Sequence, residues 1–100
     1  MKKVVWNGEM LSVQFGSYAS GHTLIQLFDA EGMPYAKATV NIPTEELGDK
    51  EVFIKNYSEN QGVLAALIEA GIVADTGRRV TTGYVQVPVC KILVPVWEMV

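Results

Sequence analysis

The sequence predicts an α+β fold, a mostly antiparallel β-sheet laid out as a β-meander with one α-helix packed on it. Three observations predict it. Asn7-Gly8 stands between the apolar runs Val4-Val5-Trp6 and Met10-Leu11, and this pair tolerates the positive φ angles of a tight hairpin turn. Apolar residues alternate at Leu11, Val13 and Phe15 and again at Ala38, Val40 and Ile42, the period-two pattern of half-buried strands. Leu64, Leu67 and Ile68 instead repeat at helical spacing between Ser58 and Gly71.

In chain order, the hairpin at Asn7-Gly8 leads into the strand of Leu11, Val13 and Phe15. Ser20-Gly21 turns the chain into Thr23 to Phe28, a strand apolar enough for cover on both faces. Asp29-Ala30-Glu31-Gly32 makes a third turn, with Gly32 free to adopt a left-handed conformation. A fourth strand runs from Tyr35 through Ala38, Val40 and Ile42, with Lys37, Thr39 and Asn41 on its other face. Connections this short make successive strands antiparallel neighbours. Pro43 to Lys50 is a polar connection with room for one helical turn, and Glu51 to Lys55 a short strand. Ser58, with Gln61 three residues on, predicts a capped helix ending at Gly71. Asp75 to Arg79 reads as a polar loop. The apolar run from Tyr84 to Val94 reads as a long strand that Pro88 and Pro95 place at an edge or mark with bends and bulges. The architecture expected is five or six strands and one helix, and a partly open barrel is one form such a sheet can take.

Length and composition set the bounds on function. The chain has 100 residues, 49% apolar and 19% charged, which suits a single domain over residues 1–100. Eight Lys and Arg face eleven Asp and Glu, a net charge of −3, which argues against phosphate-driven nucleic-acid binding. The single cysteine, Cys90, excludes an internal disulfide or a multi-cysteine zinc site and fits a cytoplasmic protein. The apolar run after Met1-Lys2-Lys3 is too short for a signal-peptide core, and no stretch has the length of a membrane span. The terminal Trp97-Glu98-Met99-Val100 is apolar, suited to pairing within the fold or to self-association.

No residue pattern implies a catalytic set, a cofactor or a metal. His22 has no partner at ligand spacing and reads as a solvated turn residue. Cys90 lies in an apolar strand, where cysteine behaves as a buried hydrophobe. Glu45, Glu46, Asp49 and Glu51 form an acidic cluster that matches no calcium loop and reads as a solvated face or a protein-binding edge. Arg78 and Arg79 could grip a phosphate, but they serve equally to hold the acidic segment or the helix end. Asn56, Tyr57, Glu59 and Asn60, at the helix start, offer amides and backbone donors for a polar contact. The aromatic residues could stack bases if several lined one sheet face, which keeps a single-stranded nucleic-acid-binding β domain as the alternative function.

Two stretches carry a resemblance. Phe53-Ile54-Lys55-Asn56-Tyr57-Ser58-Glu59-Asn60-Gln61-Gly62, continuing through Leu67 to Ala70-Gly71, is one, and Gly83-Tyr84-Val85-Gln86-Val87-Pro88-Val89-Cys90 is the other. Together they resemble a family of small uncharacterised proteins carried by phages, plasmids and conjugative elements of gut bacteria. The resemblance implies a cytoplasmic accessory protein of a mobile element, of a kind that often binds a host or defence protein, and it transfers no functional residue. The function expected is a non-catalytic protein-interaction module, with Asn56, Tyr57, Glu59, Asn60, Arg78, Arg79, Glu45 and Glu46 as candidate partner contacts and a homodimer as a further option.

Overall fold

The computed structural model describes residues 2–95; the apolar Trp97–Val100 segment singled out above lies outside them. Strands β1 (Lys3–Trp6) and β2 (Glu9–Ser17) form the expected hairpin, with Trp6 opposite Glu9. Asn7 and Gly8 have φ angles of 54° and 74°, the two positive values of a type I′ turn. Strands β3 (Thr23–Phe28) and β4 (Pro34–Lys37) continue the meander into a four-stranded antiparallel sheet in the order β1-β2-β3-β4. Asp29 shapes the last turn, its Oδ1 accepting the Glu31 and Met33 N–H groups, each at 2.9 Å.

A second sheet holds β5 (Glu51–Phe53), β6 (Val73–Thr82) and β7 (Val85–Ile92) in the order β5-β7-β6. The described residues thus form seven strands, where five or six were expected. The additional one is β6, which takes in Asp75–Arg79, read above as a loop. An edge strand needs only one hydrogen-bonded neighbour and no apolar alternation, so its polar sequence hides it. A bulge between Asp75 and Arg79 further breaks the pattern.

Strand β7 is the centre of this sheet, not its edge, although it contains Pro88. Paired antiparallel residues exchange two hydrogen bonds, one in each direction. Pro88 accepts from the Ile54 N–H at 3.0 Å and has no N–H to return, so the β5–β7 ladder ends there. The sheet is covered on both faces. Val52, Ile54, Cys90 and Ile92 enter the main core with Val4, Leu11, Ile25, Leu27 and Leu67. Phe53, Val87 and Val89 form a second, smaller core under Val40, Ile42, Leu47 and Tyr57. Burial on both faces explains why this stretch reads as an unbroken apolar run.

The fourth strand stops at Lys37, short of the expected Ile42. Beyond it the chain crosses between the sheets. The Ala38 N–H bonds the Ile25 carbonyl at 2.9 Å, the Lys55 N–H bonds the Ala38 carbonyl at 2.8 Å, and Thr39 bridges Ile54. Thr39, expected on an outer face, is only 3% exposed. Its Oγ1 accepts the Ile25 N–H at 3.2 Å and lies 2.9 Å from the Tyr18 hydroxyl.

Helix α1 (Val63–Glu69) is shorter than the sequence suggested, and a separate 3-10 turn occupies Ser58–Asn60. Ser58 has a φ of 57° and does not cap α1. Asn56 satisfies the helix start instead, its Oδ1 accepting from the Gly62 N–H at 3.2 Å and the Leu64 N–H at 2.9 Å. The other end matches expectation. Gly71 has a φ of 74°, and the Ile72 and Gly71 N–H groups bond the Leu67 and Ile68 carbonyls, each at 3.0 Å, a Schellman motif. Val63, Leu64 and Leu67 are buried, while Ile68, assigned above to the apolar stripe, is 44% exposed. The helix lies against both β1 and β6, the outermost strands of the two sheets, which do not pair with each other. The sheets therefore do not close into a barrel.

Two stability predictions follow from these contacts. Thr39→Val leaves the buried Ile25 N–H without its acceptor, while the Tyr18 phenol keeps its bond to the residue-39 carbonyl, and should cost about 1–3 kcal/mol, read as a lower midpoint in urea, with Thr39→Ser retaining most of the stability. Asn56→Ala should cost about 1 kcal/mol by the same measurement, and Ser58→Ala far less, the opposite of what a Ser58 cap requires.

Candidate partner-binding surface

The β6–β7 hairpin combines an exposed tip with an edge that has no strand neighbour among the described residues. Thr82 pairs with Val85 across the two-residue turn Gly83-Tyr84. Of these two only Gly83 has positive φ, at 57°, as a type II′ turn requires. That turn presents Tyr84 with no cover at all, at 107% relative exposure. Sequence reasoning placed Tyr84 at the start of the long strand, not in a turn. The β-branched run Val80-Thr81-Thr82 followed by Gly83 was the signal for the hairpin, obscured by the loop assigned to the preceding residues.

The bulge in β6 is internally bonded. Thr76 donates its hydroxyl to the Val89 carbonyl at 2.6 Å, and Asp75 Oδ1 accepts the Gly77 N–H at 2.9 Å. Arg79 grips Asp75 in a two-pronged pair at 2.9 and 2.8 Å. The Arg79 guanidinium and then the Gly77 N–H hold the Asp75 carboxyl below its ordinary value. Arg78 reaches across to Glu51, with its Nη1 at 3.0 and 3.2 Å from the two carboxylate oxygens. The Gly48 N–H adds a bond of 2.7 Å to the same carboxylate, and these donors, Gly48 first, keep Glu51 ionised below its usual range. Arg78 thus holds the acidic segment, one of the two structural roles the sequence allowed.

The remaining candidate residues are dispersed. At the helix start, Asn56 is engaged as the cap, and Asn60 is 2% exposed with its Nδ2 donating to the Lys37 carbonyl at 2.6 Å. Glu59 is exposed and pairs with Lys55, whose ammonium brings the Glu59 carboxyl down to about 2. Tyr57 packs on the second core, 5.8 Å below the Lys55 ammonium. The amides expected to be open for a partner are therefore committed within the chain. Glu45 and Glu46 are exposed on the connection to β5, apart from the arginines.

His22 is not the solvated turn residue expected. It is half-buried, edge-on to Phe53 at 5.8 Å, and its Nδ1 is buried without a hydrogen-bond partner among the described residues. It borders a hollow of about 230 Å³ with Thr23, Gly48, Asp49 and Glu51, but no group of three potential ligands suited to a metal occurs among the described residues. Cys90 is fully buried, and burial pushes its thiol up to about 12, which makes it unreactive. The described aromatics do not gather on one open face: Trp6 and Phe53 are buried, Tyr35 packs edge-on to Trp6 at 5.9 Å, and Tyr18 bonds Thr39. No described helix is long and apolar enough to cross a membrane. Compared with family models, curated proteins and solved structures, the chain matches none.

The Asp75 pair predicts a pH dependence. A carboxyl whose folded pKa lies below its unfolded value adds stability above the unfolded value and loses it as pH falls through the folded one. Thermal melts of the wild type should therefore fall as pH drops below the ordinary value of 3.8. Asp75→Asn should flatten part of that fall and lie lower than the wild type at neutral pH.

Proposed function

We propose that the protein is a non-catalytic protein-interaction module and that the β6–β7 hairpin is the part that meets the partner. The observation carrying this reading is Tyr84, wholly uncovered at the tip of a hydrogen-bonded hairpin. An aromatic side chain held on a stiff turn loses little entropy on binding and offers both an apolar ring and a hydroxyl, the properties of interface anchors. The free edge of β6 supplies unpaired backbone groups beside it. The setting implied by the family resemblance is an accessory or anti-defence protein of a mobile element acting on a host or defence protein in the cytoplasm.

Capture from bacterial lysate with wild-type and Tyr84→Ala bait tests the reading. A nuclease-resistant protein partner held by the wild type and weakened by about tenfold or more in the variant, the scale of an anchor residue, is the expected result. A partner held equally by both baits overturns the role of the hairpin tip. Recovery of nucleic acid in place of protein overturns the module itself.

A further inference from the structure

The free edge of β6 has a second property, which rests on the interaction reading but concerns a different partner. Thr82 and Val85 flank a two-residue turn and exchange hydrogen bonds, as do Val80 and Val87. The residues on either side of Val80, Arg79 and Thr81, therefore turn their N–H and C=O groups away from β7, toward an edge with no neighbour among the described residues. Val80 sits on this edge strand on the face of the second core and is only partly buried against it, as is Val85 behind it on β7. The second core is thus uncovered where the backbone is unpaired.

We propose that this edge pairs with the same edge of a second copy of the chain, antiparallel about a two-fold axis at Val80. In that register Arg79 stands opposite Thr81 of the other copy, and Thr81 opposite its Arg79, so every outward donor meets an outward acceptor. Val80 meets Val80 across the axis and joins the two half-covered cores. No like charges stand opposite one another, and Arg79 keeps its pair with Asp75. The bulge between Asp75 and Arg79 ends the open stretch, which confines pairing to one short register and blocks open-ended strand addition. Tyr84 lies about 13 Å along the strand from the axis at ~3.3 Å per residue, so the two tips point away from each other and both stay open to the other partner.

Sedimentation and directed crosslinking test the pairing. Wild-type protein should show a concentration-dependent dimer, and Thr81→Pro, which deletes an outward N–H without touching the β6–β7 ladder, should weaken it about tenfold or more, a change large enough to move the midpoint by a decade in concentration. Val80→Cys should form a symmetric disulfide on mild oxidation, because facing residues of a non-hydrogen-bonded antiparallel pair lie within disulfide reach. Gln86→Cys, exposed on β7, should crosslink far more slowly, and the native Cys90 is buried and silent. A wild type that stays monomeric, or equal crosslinking at the two positions, overturns the proposal. Tyr84→Ala should leave the dimer intact, so loss of the captured partner and loss of the dimer report on separate claims.

Discussion

The crossing of the chain at Ala38-Thr39-Val40 ties the two sheets together by hydrogen bonds, and the rest of the architecture depends on it. The Thr39 hydroxyl takes the Ile25 N–H from β3 and meets the Tyr18 phenol, while its neighbours Ala38 and Val40 bond Lys55 and Phe53 on either side of Ile54. Here the meander passes into the second sheet. A valine has the same shape at this place but cannot satisfy a buried N–H, and an unpaired buried donor costs more than a hydrogen bond gains. Pro88 works from the other side. It accepts the Ile54 N–H and ends the β5–β7 ladder there, while the Thr39 bridge uses the Phe53 C=O and Lys55 N–H on the opposite edge. Thr39 on one edge of Ile54 and Pro88 on the other mark the junction of the two sheets.

That junction places everything of functional interest. It turns the second sheet so that one face joins the main core and the other carries the smaller one, capped by the Val40–Leu47 stretch. The Gly48–Glu51–Arg78 contacts tie this stretch to the bulge of β6. The bulge is thereby fixed from within, by the Asp75–Arg79 pair, and from outside. Beyond it the hairpin runs on to Tyr84 with few side chains packed against its outer half. Rigid at the base and bare at the tip, the hairpin presents an anchor on a stiff support.

Part of this was legible in the sequence. Asn7-Gly8 announced its turn because the backbone there demands residues that tolerate positive φ, a local requirement. Gly71 and Ile72 announced the end of α1 for the same reason. The cap at Asn56 was not legible, since Ser58 and Gln61 satisfy the usual pattern and only the left-handed backbone at Ser58 breaks it. Thr39 looked outward on a simple alternation, because its burial comes from a strand distant in sequence. β6 was hidden because its order is imposed by β7 and not by its own side chains. The candidate site suffered most. Arginines, acids and amides drew the eye by their chemistry, yet most are spent inside the chain, whereas the exposed tip belongs to a tyrosine that periodicity assigned to a strand.

Helix α1, standing between β1 and β6, has a consequence for how the chain can be divided. The main core draws Val4, Leu11 and Ile25 from the first half of the chain and Val63, Leu67, Val73 and Ile92 from the second. Neither half can bury its apolar residues alone. The hairpins form from near neighbours, but α1 reaches β1 only by closing most of the chain into a loop, at an entropic cost met once both sheets are present. Division at any connection between β4 and β6 therefore splits the main core and leaves each fragment with apolar residues that only the other can cover.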